Sequence, residues 1–199
     1  MRGPVAGITQ DDAERREEAD VVARIRAGEA HLYGSLIDRH QRRLWWAVRR
    51  IVDDPDEADD VVQEAFVRAW EHLGDYDPAY RFYTWLYTIA RNRAFNVHRR
   101  RKVRGAVSLS ADDAPPVADP GEDAAAAAEG SEIAVALAAC REELPEDQRE
   151  AFDLRHADGL SYAEIAAATG VPEGTVMSRL HRARGKMRDC LRSKGVTWP

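Results

Sequence analysis

Val61, Val62, Ala65, Phe66, Ala69, Trp70 and Leu73 follow one another at spacings of 1, 3, 1, 3, 1 and 3. Only an α-helix gathers residues at that spacing into one stripe; a strand would scatter them over both faces. Asp59, Asp60, Gln63, Glu64, Arg68 and Glu71 fall on the opposite side. Asp54 is placed to cap this helix with Pro55 at its first position, and Gly74 stops it. The same 3.6-residue period runs through most of the chain. It begins at Ala19 with Val21, Val22 and Ile25, and Gly28 interrupts it. It continues through Leu32, Tyr33, Leu36, Ile37, Leu44, Trp45, Val48, Ile51 and Val52, then through Phe82, Trp85, Leu86, Ile89, Ala90 and Ala94. No segment alternates like a strand. The expected fold is therefore all-α, with Trp45, Trp46, Trp70 and Trp85 in its core.

Composition divides the chain. Residues 1–18 are polar without an apolar period and read as a flexible tail. Residues 105–130 hold Pro115, Pro116, Pro120, Gly121, the run Ala124–Ala128 and many acids, which is linker composition. Two small helical domains are expected, over 19–104 and 131–195. The net charge of −6 conceals a segregation: −5 over residues 1–74, +6 over 75–110, −11 over 111–153 and +4 over 154–199. Two basic blocks separated by an acidic one suit two contacts with a polyanion, although two ordinary solvated faces would look the same.

Several function classes are not expected. No run of 18 apolar residues occurs, so no membrane span is predicted. No apolar stretch follows Arg2, so no secretory signal is predicted. Cys140 and Cys190 stand far apart, with neither metal-ligand spacing nor the look of a disulfide framework. A reducing cytoplasm is the expected compartment. His31, His40, His72, His98, His156 and His181 show no pairing with a carboxylate or cysteine at metal spacing. No phosphate-cradling glycine loop occurs, and neither a cofactor, a metal nor an enzymatic activity is predicted.

Residues 160–176, LSYAEIAAATGVPEGTV, carry the strongest local motif. Ser161 with Glu164 forms a capping box. Thr169-Gly170-Val171 makes a short turn, with Gly170 suited to a left-handed backbone. Pro172 opens a second helix with Val176, Leu180, Ala183 and Met187 inward. This is a helix-turn-helix, whose second helix lies in the major groove and reads bases from its N-terminal end. Glu173, Gly174, Thr175, Ser178, Arg179 and Arg182 are the candidate base-reading positions. Arg179 has the geometry for a bidentate pair with guanine, and Glu173 that for accepting from cytosine. His181, Arg184, Lys186 and Arg188 suit phosphates. A helical hairpin used for protein contact is the competing reading.

A helix-turn-helix alone would fit an ordinary repressor, but the first domain argues for something else. Residues 82–96, FYTWLYTIARNRAFN, closely resemble the −10 recognition helix of extracytoplasmic-function sigma factors. Residues 56–66, DEADDVVQEAF, resemble that family's region 2.2, and Leu144-Pro145 through Arg188 resemble its region 4. The resemblance runs from Ala19 to Leu191, with three motifs in the family's order. It implies a sigma factor that binds core RNA polymerase, at the clamp of the β′ subunit and the flap of the β subunit. It also implies recognition of −35 and −10 promoter elements, DNA melting, and control by an anti-sigma partner. On this resemblance Asp59, Asp60, Gln63 and Glu64 would dock on polymerase, and Glu173, Gly174, Thr175, Ser178, Arg179 and Arg182 would read the −35 element. Asn92 and Asn96, one turn apart, would read −10 bases, with Arg91, Arg99 and Arg100 on the backbone. Tyr80 and Phe82, with Tyr76, would shape a pocket for a flipped base. Two rivals, a stand-alone dimeric helix-turn-helix regulator and a nucleic-acid enzyme, would need a dimer or sensor surface and a catalytic set respectively. The residues offer neither plainly.

Overall fold

The computed structural model describes residues 10–105 and 127–196, and regular structure among them is helical throughout. Residues 1–9 of the expected tail and 106–126 of the expected linker lie outside the described residues. The chain divides into two compact units, Met1–Ser110 and Ala111–Pro199.

The first unit contains α1 (Gln10–Arg26), α2 (Tyr33–Arg49), α3 (Pro55–Glu71) and α4 (Phe82–Gly105), with short 3-10 turns at Ala30–Leu32 and Leu73–Asp75. Helices α2, α3 and α4 pack on one another, and α1 lies against α2 and α4. The stripe that predicted α3 is largely inside: Val61, Val62, Ala65, Phe66 and Ala69 are buried, as are Leu36, Leu44, Val48, Leu86 and Ala90 on the two helices that pack on α3. Asp54 caps α3 as expected, its carboxylate accepting from the Asp56 and Glu57 amides at 3.0 and 3.2 Å. Gly28, at φ +115°, ends the first helical segment.

Three expectations need correction. Helix α1 begins at Gln10, so the segment taken as tail overlaps a helix, and Glu18 within it is only 4 % exposed. The apolar period missed this stretch because a carboxylate, not a hydrocarbon, is what α1 buries there. Trp70 is 44 % exposed and lies edge-on to Tyr33, ring centroids 5.0 Å apart. Tyr33 itself takes the interior place, donating its hydroxyl to the Phe66 carbonyl at 2.6 Å. Trp45 and Trp46 form a T-shaped pair at 4.9 Å that is only half-buried.

The second unit contains α5 (Ala127–Glu142), α6 (Glu146–His156), α7 (Tyr162–Thr169) and α8 (Glu173–Ser193). Helix α8 is its spine, packed by α5, α6 and α7 through Val176, Leu180, Ala183, Met187 and Leu191. The predicted punctuation is present. Ser161 and Glu164 form a reciprocal capping box, and Gly170 is left-handed at φ +70°. Arg141 clamps Asp153 with two bonds, at 2.7 and 2.5 Å, joining the end of α5 to α6.

The cysteine expectation is overturned. Cys140 and Cys190 form a disulfide between α5 and α8, their Cα atoms 5.7 Å apart across 50 residues of sequence. The bond sits in an apolar cluster with Ala136, Leu144, Phe152, Met187 and Leu191. Sequence distance concealed the pair because α5 and α8 meet only after the intervening helices fold back.

Candidate nucleic-acid interface

The acidic face of α3 is presented as expected at Asp59, Asp60 and Gln63, all exposed. Glu64 differs. Its carboxylate is held between Arg68, at 2.7 Å one turn on, and Arg93 of α4, at 2.5 Å. It therefore ties two helices together as well as bordering the acidic surface.

Helix α4 begins in the core and ends in a basic surface. Asn92 and Asn96 are exposed one turn apart, as predicted. Arg99 donates to the Asn96 Oδ1 at 2.8 Å, which leaves the amide nitrogen of Asn96 out of that bond. Arg99 and Arg100 are exposed, whereas Arg91 is half-buried with its guanidinium 4.7 Å from the Phe95 ring centre. Arg101 leans back on the start of α3, 3.5 Å from Asp54 and 3.7 Å from Glu57. Of the three aromatics expected to form a pocket, the structure presents one. Tyr80 is 37 % exposed, Tyr76 is buried, and Phe82 is fully enclosed. Phe82 packs at 5.7 Å from both Tyr76 and Trp85, so these rings support the loop from beneath.

On α8, Glu173, Gly174 and Arg182 are exposed, while Thr175 and Ser178 are half-buried. The Ser178 hydroxyl donates to the Thr175 carbonyl at 2.9 Å. Arg179 is drawn aside: its Nε lies 3.1 Å from the Asp147 carboxylate of α6. Of the two arginines expected to face bases, Arg182 is the one presented outward. His181, Arg184, Lys186 and Arg188 are exposed along the same helix, the phosphate-seeking set expected. Met177, 54 % exposed among these polar side chains, escaped the sequence reading because an apolar residue at helical spacing looks like core.

Two histidines have carboxylate partners that the sequence did not reveal. His72 Nδ1 lies 3.2 Å from Asp75 at the surface. His40 Nε2 lies 2.9 Å from Glu18, and both residues are buried. Burial alone would raise the Glu18 carboxyl, but the His40 bond and charge, the Phe82 amide and Arg39 together hold it below its ordinary value. In the second unit His156 is pushed down, first by burial and then by Arg184 and Arg155. Among the described residues, no group of three or more potential ligands could hold a metal ion, and no helix is long and apolar enough to cross a membrane.

The four-helix first unit with its asparagine-arginine helix, and the helix-turn-helix of the second, define a two-part promoter-reading protein. Comparison with known proteins agrees. The family model for sigma-70 region 2 matches residues 36–104, and that for sigma-70 region 4 matches 134–187. The RNA polymerase sigma-H factor of Pseudomonas aeruginosa is 36 % identical over 188 residues, covering 85 % of this chain and 91 % of the relative. The ECF RNA polymerase sigma factor SigL of Mycobacterium tuberculosis is 36 % identical over 174 residues, covering 86 % and 95 %. The ECF RNA polymerase sigma-E factor of Escherichia coli is 37 % identical over 181 residues, covering 86 % and 93 %. Among solved structures, CnrH in complex with the cytosolic domain of CnrY matches with TM-score 0.61 and 29 % identity, over 92 % of this chain and 99 % of that one. The sigma factor RpoE in complex with the anti-sigma factor NepR, from Bartonella quintana, matches with TM-score 0.65 and 25 % identity, over 80 % and 96 %. The chain belongs to the extracytoplasmic-function sigma factors of the sigma-70 family. Its function is promoter recognition for transcription initiation by RNA polymerase.

Proposed function

We propose a division of labour among these surfaces. The α3 face at Asp59, Asp60 and Gln63, bordered by Glu64, docks on the clamp of the β′ subunit. The second unit docks on the flap of the β subunit and lays α8 in the major groove of the −35 element. Glu173, Gly174, Thr175, Ser178 and Arg182 face the bases there, with Arg179 set by Asp147. Helix α4 meets the −10 element through Asn92 and Asn96, with Arg99 and Arg100 on the phosphates and Arg91 behind them. Tyr80 stands at the loop where a flipped base would stack, over Phe82. The chain breaks no bonds and needs no cofactor, and we place it in the cytoplasm with polymerase. We also propose an anti-sigma protein as its inhibitor, because RpoE and NepR form such a pair.

The observation that carries this reading is the exposed Asn92–Asn96 pair continuing into exposed Arg99 and Arg100 on one rigid helix. Separating the −10 strands costs roughly 1.4 kcal/mol per base-pair step of stacking. Binding one strand in its unstacked form offsets that cost. Asn92→Ala is therefore expected to lower open-complex formation on duplex promoters, and a template already mismatched at −10 is expected to restore part of the loss. The variant should still bind core polymerase, because the α3 face is untouched. A loss of thermal stability with no rescue by pre-melting would assign Asn92 to helix packing instead.

A further inference from the structure

Helix α1 contributes no DNA-facing residue to the reading above, yet it holds the loop between α3 and α4 at four backbone points. Arg26 donates through Nε to the Leu73 carbonyl at 2.9 Å and through Nη2 to the Tyr76 carbonyl at 3.0 Å. Arg15 donates to the Ala79 carbonyl at 3.1 Å. Glu18 accepts from the Phe82 amide, the first of α4, at 3.1 Å. Glu18 and Arg26 lie 3 and 11 residues after Arg15, which places all three on one side of α1. The loop also closes on itself: the Tyr76 hydroxyl donates to the Tyr80 carbonyl at 2.8 Å, and Asp77 accepts the Ala79 amide at 2.9 Å.

We infer that α1 is a brace that fixes the shape of the 73–81 loop, and that Arg26 and Glu18 are positioning residues for strand capture at the −10 element. The inference rests on the reading that Tyr80 meets an extruded base. A loop rich in Gly, Asp, Pro and Ala has many conformations to lose when it binds. Anchoring its carbonyls in advance removes that cost from the binding step and leaves the Tyr80 ring standing over a fixed backbone. Burial strengthens the Glu18 anchor most, and the Arg15 bond, which is exposed, least. Glu18 is enclosed with His40, and both Arg26 bonds are partly shielded from water. The bidentate reach of Arg26 matters as well, because a single ammonium cannot span two carbonyls in the same way.

The test uses the full chain with core polymerase, on a duplex promoter selected from genomic DNA by the wild-type holoenzyme. Open-complex formation is measured for Arg26→Ala, Arg26→Lys, Tyr80→Ala and the double variant Arg26→Ala/Tyr80→Ala. Arg26→Ala is expected to lower open-complex formation about tenfold, on the scale of a misplaced contact, with core-polymerase affinity unchanged. Arg26→Lys should recover part of the loss. Most importantly, Arg26→Ala should add little once Tyr80 is already truncated, because both act through one loop. Independent losses in the double variant overturn the brace, as does a full effect of Tyr80→Ala with none from Arg26→Ala. If Tyr80→Ala alone has no effect, the strand-capture reading falls and takes the brace with it. Glu18→Gln serves as a second variant, with amide exchange of the 73–82 peptide reporting whether the loop has loosened.

Discussion

Breaking the bond between Cys140 and Cys190 isolates one term in the stability of the second unit. Reduction of the native chain is a cleaner perturbation than substitution, since it leaves both sulfurs in place and buries no new hydroxyl. The bond closes a loop of 50 residues that contains α6, α7 and most of α8. Loop-closure entropy for that length gives about 4 kcal/mol of stabilisation, acting mainly through the unfolded chain. At 1.36 kcal/mol per factor of ten, that is roughly a thousandfold change in the unfolding equilibrium. Tryptophan fluorescence would report it poorly, because four of the five tryptophans, Trp45, Trp46, Trp70 and Trp85, lie in the first unit. Amide hydrogen exchange read by peptide mass is the suitable assay. The slowest amides of α6 and α8 should exchange up to about a thousandfold faster after reduction, with peptides of α2, α3 and α4 as unchanged internal references. Complete reduction, verified by alkylation, with unaltered exchange in α6 and α8 would refute the reasoning.

Other perturbations test other contacts. The Glu18 carboxyl sits below its ordinary value of 4.5 in the folded protein, so its contribution is present above that pH and is lost as pH falls through the folded value; acid unfolding of the first unit, followed by tryptophan fluorescence, should lose this pH dependence in Glu18→Gln. Asp60→Lys should weaken core-polymerase binding with little change in melting temperature. Glu64→Lys should also lower stability, by about 0.5–1 kcal/mol, since it sets a cation against Arg68 and Arg93 in a partly exposed site; equal melting temperatures for the two variants would contradict the Glu64 bridge. Arg182→Ala should cost about 1–3 kcal/mol of discrimination among −35 sequences, whereas Arg188→Ala should weaken all sequences alike and reduce the salt dependence of binding. Equal losses on every sequence for both variants would remove Arg182 from base reading.

Local signals were legible and long-range ones were not. The α3 stripe, the Asp54 cap, the Ser161–Glu164 box and the left-handed Gly170 each depend on residues within a turn or two, and all are found where the sequence places them. The asparagine pair on α4 was legible for the same reason, since four residues make one helical turn. Glu18, Arg179, Glu64 and the two cysteines have partners 22, 32, 29 and 50 positions away, so no window of sequence exposes them. The Trp70 placement failed for a different reason. Hydrophobicity states what a side chain prefers, whereas the room available is decided by neighbours such as Tyr33, which fills the interior in place of Trp70.

The charge pairs between α3 and α4 bear on how promoter choice can be transplanted. Glu64 holds Arg93, and Asp54 and Glu57 hold Arg101, so α4, the helix proposed to read DNA, is registered against α3, the one proposed to meet polymerase. A graft that imported only a foreign α4 would have to supply arginines at both positions or strand three carboxylates beside unmatched side chains. The natural unit of exchange for a chimera is therefore the pair of helices with the loop between them, residues 54–105, moved as one cassette. Retargeting by point substitution at Asn92 or Asn96 leaves that register alone.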